Sequence, residues 1–241
     1  MKEKFLLLLA AQGDPKRAAA IEDYLGAENH LSVEDWLKLP AGKSLFTPPA
    51  AGLPVHDVET GVYPDGIYLA FEGGKFDPYK PGQVTKAQKQ HCIGVAVKLG
   101  SKSICVSLYD RANGEEITLT AGKDTTGWDG YKDNALDAGA DWDGEGNTRH
   151  LKAVGLNPEI TLVDGQFIPS VAQWRFICLF RKELNQALAE LGGDELSGWY
   201  WTSTECSASG AWTLGLGGGH VGGLTKASSR HRVRAVSAFI S

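Results

Sequence analysis

The sequence has no excess of basic residues, few cysteines and no long apolar run after its first residues. Its 24 Lys and Arg are outnumbered by 29 Asp and Glu, which gives a formal net charge of -5. This balance argues against a nucleic-acid-binding protein, because such proteins carry a basic face. No later segment approaches the roughly 20 apolar residues that cross a bilayer, so we expect no membrane span.

The four cysteines are Cys92, Cys105, Cys178 and Cys206. None belongs to a C-x-x-C pair, so a zinc site or a thioredoxin-like site has little support, and small buried thiols are expected instead. Residues 92–99 and 103–109 predict a hairpin that turns at residues 100–101. Such a turn places Cys105 opposite Ala96, so we do not expect a disulfide between Cys92 and Cys105.

The chain divides into two predicted parts. Residues 1–57 indicate a small helical N-terminal attachment module and a linker rich in Pro and Gly. Within it, the apolar residues 5–11 resemble a secretory signal, but the charged turn at residues 12–17 favours the first helix of a soluble chain. Residues 58–241 predict a second domain that is rich in strands.

In this second domain, one helix is predicted to begin with Ser170 as its N-cap and to run through Leu188 to Gly192. Its apolar side chains recur with the helical period. Residues 120–150 are predicted to be irregular, with Trp128, Tyr131 and Trp142 as packing anchors, and strands alone are expected after the helix. The predicted class is therefore α+β.

Glycine is the compositional oddity, with 30 residues that are concentrated after position 191. In residues 211–221, AWTLGLGGGHV, large side chains alternate with Thr213, Gly215 and Gly217, which predicts a strand with one buried face. Three interpretations compete. A flexible linker would lack the regularly placed Trp and Leu, and a phosphate-binding loop would lead into a helix. We favour a scaffold strand and loop whose outward positions are set by binding and not by stability.

Several segments resemble a known family. Residues 198–205 (GWYWTSTE), 211–212 (AW) and 232–236 (RVRAV) are similar to the C-terminal signature of C-type-lectin-fold proteins. More specifically, they resemble the variable proteins of diversity-generating retroelements and related adhesin-like domains of gut bacteria and their phages. Residues 167–170 (FIPS), 142–148 (WDGEGNT) and the hairpin from Ile93 fit this family's helix start, loop and early strand. The resemblance covers about residues 58–241 and is strongest after residue 165.

The resemblance implies a C-type-lectin-like domain that binds a ligand and is not an enzyme. In such proteins, replacement of template adenines, chiefly in Asn codons, permits Gly, Ser, Thr, His, Leu, Ala, Cys and Arg at variable positions. The implied ligand-binding positions are Cys206, Gly210, Thr213, Gly215, Gly217, His220, Gly222, Gly223, Leu224, Thr225, Ala227, Ser228 and His231. Trp201, Glu205, Trp212 and Lys226 fall on framework positions.

The family offers two settings. In the setting that we favour at this point, the protein belongs to a virion and binds receptors at a phage tail tip, residues 1–57 attach it to a tail or surface scaffold, and a homotrimer is the assembly considered. In the alternative, it is a bacterial surface adhesin, or a structural virion or pilus component without a ligand. The expected ligand is a host-cell surface protein or glycan, and no cofactor or metal is expected.

Other chemistries have weaker support. Formylglycine-generating oxidases are similar in fold and use paired cysteines, whereas Cys206 has no nearby Cys in the sequence. Residues 141–147 place alternate oxygens as a calcium loop does, but they lack the Glu at the twelfth position, so a turn with Asx hydrogen bonds is favoured. His220 and His231 are interpreted as surface histidines and not as metal ligands. Arg230, Arg232 and Arg234 are expected to bond to neighbouring loops or carboxylates and not to form a ligand site.

Overall fold

The computed structural model describes residues 63–122 and 128–239, so the predicted N-terminal module at residues 1–57 lies outside the described residues. The strands are β1 (Gly66–Phe71), β2 (Lys75–Pro78), β3 (Cys92–Leu99), β4 (Lys102–Asp110), β5 (Gln166–Phe167), β6 (Trp199–Glu205), β7 (Gly210–Gly215), β8 (His220–Thr225) and β9 (Arg234–Ser237). The helices are α1 (Lys86–His91), α2 (Ala135–Ala140), α3 (Gly144–Val154), α4 (Val171–Leu179) and α5 (Arg181–Leu191).

The strands form two antiparallel sheets. A six-stranded sheet has the order β2-β1-β3-β4-β9-β5, and a three-stranded sheet has the order β6-β7-β8. The described residues combine helices with antiparallel sheets, so the predicted α+β class is confirmed. Among the described residues, no helix has both the length and the apolar composition to cross a membrane.

The large sheet is buried on both faces. On β3, Val95 and Val97 enter the main core, which also contains the side chains of α5, while Ala96 points to the opposite side. There it joins a smaller cluster with Tyr68 and Phe239. This alternation follows from the two-residue period of a strand. The large sheet is thus fixed by side-chain packing on either side.

The predicted hairpin of β3 and β4 is confirmed. Ala96 lies opposite Cys105 in the register, and all four cysteines are free. Burial raises the pKa of the Cys105 thiol to about 12, which suits a small apolar core residue.

The predicted helix after Pro169 begins as expected but is not continuous. Ser170 accepts a hydrogen bond from the Gln173 N–H and forms a capping box, and Gly192 ends the second helix in a left-handed conformation. Between them, Phe180 separates α4 from α5 with φ -111° and ψ 14°. The break has a physical reason: α4 is buried on almost every side, whereas α5 buries one face only. Two helices therefore satisfy both environments where one straight helix could not.

The prediction that residues 120–150 are irregular is wrong for its second half. Asn134 caps α2 through the N–H groups of Leu136 and Asp137, and Asp143 caps α3 through the Gly146 N–H. Glycine is required at the start of α3, because a Cβ on Gly144 would lie 2.9 Å from the Ile168 carbonyl oxygen. Gly144 therefore marks a close approach of two segments and not a loop.

Candidate binding surface

The glycine-rich segment folds as the β7–β8 hairpin of the small sheet. Its register is continuous from Gly210 opposite Thr225 to Gly215 opposite His220. The connecting turn closes through a 2.9 Å hydrogen bond from the Gly219 N–H to the Gly215 carbonyl, and Gly219 adopts φ +70°. A positive φ favours glycine at that position for conformational reasons alone.

The register divides the predicted ligand-binding positions between two faces of this sheet. On one face, which we call the Trp199 face, lie Trp199, Thr213, Gly215, Gly222 and the outward-facing His220 and Leu224. A Cβ on Gly215 would lie 2.9 Å from the Trp199 ring, and a Cβ on Gly222 would lie 3.9 Å from Thr213 Oγ1. These distances confirm that Gly215 and Trp199, and likewise Gly222 and Thr213, lie on the same side of the sheet.

The opposite face, the Cys206 face, includes Trp212 and the predicted positions Cys206, Gly210, Gly223 and Thr225. A Cβ on Gly210 would lie 2.7 Å from Cys206 Sγ, and one on Gly223 would lie 3.2 Å from the same atom. The structure therefore does not gather all the predicted positions into one patch.

The predicted positions differ in exposure. Gly217, His220, Gly223, Leu224, Thr225, Ala227 and Ser228 are exposed, Cys206, Gly222 and His231 are half-buried, and Gly210, Thr213 and Gly215 are buried. The expectation that every second residue of β7 faces outward is thus wrong. The reason is that this face is covered near its centre. Trp201 and Ala211 lie on the same face within a buried cluster, and Thr213, opposite Trp201, is fully buried with its hydroxyl donating to the Gly222 carbonyl at 3.0 Å.

The glycines also differ in the space around them. At Gly217 nothing lies within 4 Å of the position that a Cβ would occupy, and at Gly222 the one neighbour is at ordinary contact distance. Gly210 and Gly215 have closer neighbours, namely the Cys206 sulfur and the Trp199 ring. Gly217 and Gly222 therefore accept larger side chains, whereas Gly210 and Gly215 are constrained by their packing.

Trp201, Glu205, Trp212 and Lys226 anchor this hairpin to the rest of the domain. Trp201 is fully buried and donates its indole N–H to the Ile117 carbonyl at 2.8 Å. Lys226 and Glu205 form an ion pair whose side chains are almost completely buried. Trp212 donates its indole N–H to the Lys132 carbonyl at 2.7 Å. The framework positions inferred from the sequence are therefore tied to the rest of the domain.

The three arginines near the C-terminus serve the framework, as expected. Arg234 is fully buried, pairs with Asp110 and donates to the carbonyls of Ser107 and Leu108. Arg232 donates to the Ser197 carbonyl, and Arg230, which is exposed, donates to that of Glu116.

The two predicted surface histidines have different environments. His220 is exposed at the start of β8. His231 is half-buried, pairs with Ile117 in a bridge and packs its ring edge-on against Trp201 at 5.4 Å, so its interpretation as a surface residue is wrong. Burial lowers the pKa of His231. Within the described ranges, no group of His, Cys, Asp and Glu has the arrangement of a metal site.

An open cleft of about 750 Å³ lies beside the Cys206 face. It is lined by Tyr131, Lys132, Asp137, Ala140, Asp141, Trp142 and Asp143. Lys132 connects it to the small sheet, because its carbonyl accepts from Trp212 and its N–H donates to the Glu205 carbonyl. The sequence indicated Tyr131 and Trp142 only as packing anchors; their spacing among aspartates was the one signal for a cleft.

The oxygens of the predicted Asx turn are bonded within the protein. Asp141 accepts from the Asp143 N–H at 3.1 Å, from Asn147 Nδ2 at 2.7 Å and from the Thr204 hydroxyl at 2.6 Å. The first of these contacts is an Asx-type bond, as the sequence favoured. Asp141 thus fixes the start of α3 against β6.

Comparison with known proteins adds information about the fold alone. No family model matches the chain, and no curated protein matches it. Among solved structures, the chain is similar to the crystal structure of a fimbrial protein from Bacteroides ovatus, with a TM-score of 0.53 and 13% sequence identity. The similarity covers 73% of this chain and 49% of that chain, so this chain spans about half the length of its structural neighbour.

Proposed function

We propose that this chain is a non-enzymatic binding protein of the bacterial cell surface, with adhesin-like activity. The observation that carries the proposal is the contrast within the β7–β8 hairpin. Gly222 of β8 and Gly217 of the connecting turn have room for a side chain, and the sheet that carries them is anchored by the buried Glu205–Lys226 pair. A rigid scaffold that presents substitutable positions is the arrangement that binding surfaces use.

The proposed ligand surface is narrower than the set implied by the sequence. It consists of the accessible part of the Trp199 face and the adjoining turns: Trp199, Gly217, His220, Gly222, Leu224, Ala227 and Ser228. Trp199 is 41% exposed and Leu224 is 38% exposed. Exposed Trp side chains are among the groups that most often anchor binding partners, and Leu224 adds apolar contact area on the same face. The proposed ligand class is a host-cell surface protein or glycan.

The finer assignment rests on the sequence resemblance. We propose that the domain is C-type-lectin-like and that its exposed positions are diversified by a retroelement. Sequencing the locus tests this directly. A neighbouring reverse transcriptase, with a template repeat that matches codons 206–231 except at adenines, supports it. Absence of both features contradicts the retroelement origin and leaves the surface-binding proposal unaffected.

A surface adhesin is favoured over the phage tail-tip setting because the structural neighbour is a fimbrial protein. Localisation separates the two: antibody against the full chain labels intact bacterial cells in the first case and purified virions in the second. The attachment role of residues 1–57 and a homotrimeric assembly belong to the tail-tip alternative.

Cysteine chemistry of the oxidase type is disfavoured. Burial raises the pKa of the Cys206 thiol, which disfavours the reactive thiolate at neutral pH. Copper titration with Cys206→Ser as the control tests this point. Copper-dependent oxidase activity that disappears in the variant would contradict a non-enzymatic role.

Adhesion is tested with fluorescent beads coated with the full chain and applied to intact gut bacteria and to cultured intestinal epithelial cells. We expect retention on one cell type and at least a roughly tenfold decrease for Gly222→Trp, which covers the Trp199 face. Val163→Trp is the matched control, because Val163 is 66% exposed and lies outside the small sheet. No retention on either cell type, or equal retention of both variants, would contradict the proposed function.

A further inference from the structure

The outer edge of β8 has hydrogen-bonding groups that point away from its own sheet. In the order β6-β7-β8, β8 is the terminal strand, and no described strand pairs with its other side. Its register with β7 runs without a bulge from Thr225 to His220. The edge is therefore regular and has no strand partner among the residues that the structure describes. At its end the Thr225 carbonyl accepts from the Ser229 N–H at 3.0 Å and has a second lone pair for a further donor.

One hydrogen bond determines which residues of β8 direct their backbone N–H and C=O groups towards β7 and which direct them outward. The Lys226 N–H donates to the Ser209 carbonyl at 2.9 Å, so the residues opposite each other at this point form a hydrogen-bonded pair. Because such pairs alternate, Leu224 and Gly222 bond to β7, while Gly223 and Val221 direct their N–H and C=O groups outward. The same alternation directs the Thr225 N–H outward.

The other edges of the two sheets are protected, whereas this one is not. Strand β2 carries Lys75, Asp77 and Pro78, and β5 has only two residues. The outer side of β6 is covered by the segment around Arg232, which pairs with Tyr200. Charge, proline and short length are the devices that prevent edge pairing. Strand β8, with the sequence HVGGLT, has no proline and no Asp, Glu, Lys or Arg.

We propose that two copies of this chain pair antiparallel through β8 and form a continuous six-stranded sheet. Gly223 lies opposite Gly223 of the second copy, and Val221 lies opposite Thr225, so the outward groups match around a two-fold axis. A second copy is the occupant that the edge fits, because self-pairing of a strand without formal charges brings no like charges together. This inference is independent of the proposed ligand.

Pairing of this kind leaves the side chains of the Trp199 face unobstructed. Residues His220, Gly222 and Leu224 point out of the sheet plane and not along the new hydrogen bonds. The two copies would present their Trp199 faces on one extended sheet, which permits bivalent attachment to a surface.

The mass of the full chain is measured by sedimentation equilibrium over a range of protein concentrations. We expect a monomer–dimer equilibrium. Thr225→Pro removes an outward N–H in each copy and places a ring at the edge, so it weakens the dimer by at least roughly tenfold. Thr225→Ala keeps the N–H and is the matched control, with an unchanged equilibrium. Circular dichroism verifies that both variants are folded.

Amide hydrogen exchange gives a second, residue-specific readout. The Val221 and Gly223 amides become protected as the protein concentration increases, whereas the Gly222 and Leu224 amides are protected throughout. A chain that is monomeric at every concentration overturns the proposal. So does a dimer that Thr225→Pro does not weaken, or protection of Val221 and Gly223 that is independent of concentration, because another segment or surface then explains the result.

Discussion

Strands β3 and β8 differ both in their pairing and in their side-chain environments: β3 pairs with β1 and β4, whereas β8 pairs with β7 alone among the described strands. On β3, Val95, Ala96 and Val97 are completely buried and enter two different cores. On β8, no residue is buried, and only Val221 packs against the main core. The first strand is specified by its side chains, the second by its backbone pairing to β7. Side chains on β8 can therefore change with little effect on the free energy of unfolding.

The buried ion pair between Asp110 of β4 and Arg234 of β9 should contribute most to stability. Arg234→Met leaves the Asp110 carboxylate buried without its cation, so we expect a loss of about 3–5 kcal/mol in the free energy of unfolding. Urea denaturation measures it. Arg230→Met is the matched control, because Arg230 is exposed, and its cost should be within about 0.5 kcal/mol. Equal costs would show that the buried pair does not fix the domain.

The two strands can also be compared by adding a methyl group to a glycine of each. A Cβ on Gly94 of β3 would lie 2.6 Å from the Val106 carbonyl oxygen, whereas the position at Gly222 of β8 is open. We expect Gly94→Ala to cost about 1–3 kcal/mol and Gly222→Ala to stay within about 0.5 kcal/mol. Thermal unfolding of the two variants compares them, and a reversed order would contradict the assignment of β8 as the permissive strand.

Within the small sheet, Gly215 and Gly217 provide a finer test. Gly215→Ala pushes against the Trp199 ring, but that ring is partly exposed and can move, so we expect a cost of only about 1 kcal/mol. Gly217→Ala has no close neighbour and should cost less. Tryptophan fluorescence provides a second readout: of the seven Trp residues, Trp199 lies against the new methyl group in the first variant, and the second variant places no side chain against it.

The smallest expected effect is a pH dependence from His231. Burial lowers its pKa in the folded state below the unfolded value of about 6.5, so its contribution to stability is present above that value and decreases as the pH falls below it. Because His231 is partly exposed, solvent screening keeps this loss small. His231→Phe should lose less stability than the wild type between about pH 7 and pH 5 in urea denaturation. An equal loss in both proteins assigns the dependence to other groups.

The sequence predicted what depends on local chemistry. The hairpin register at Ala96 and Cys105 followed from the turn position, and the Ser170 cap followed from its residue type. The break at Phe180 and the burial of Thr213 depend on neighbours that are distant in the sequence. The close approach at Gly144 was not predicted, because a glycine at a close approach and a glycine in a loop look identical until the contacting segment is known. The cleft beside Lys132 was not predicted, because Lys132 is held by Trp212 and Glu205, which are distant from it in the sequence.

The exposed positions of the β7–β8 hairpin should tolerate substitution, whereas the buried residues that anchor the hairpin should not. A saturation scan of residues 199–234, with protease resistance of the displayed full chain as the measure of folding, tests it most directly. We predict that most substitutions are tolerated at Gly217, His220, Gly222, Leu224, Ala227 and Ser228, and that few are tolerated at Trp201, Glu205, Thr213, Lys226 and Arg234. Uniform tolerance across both sets, or intolerance in the first, would contradict it.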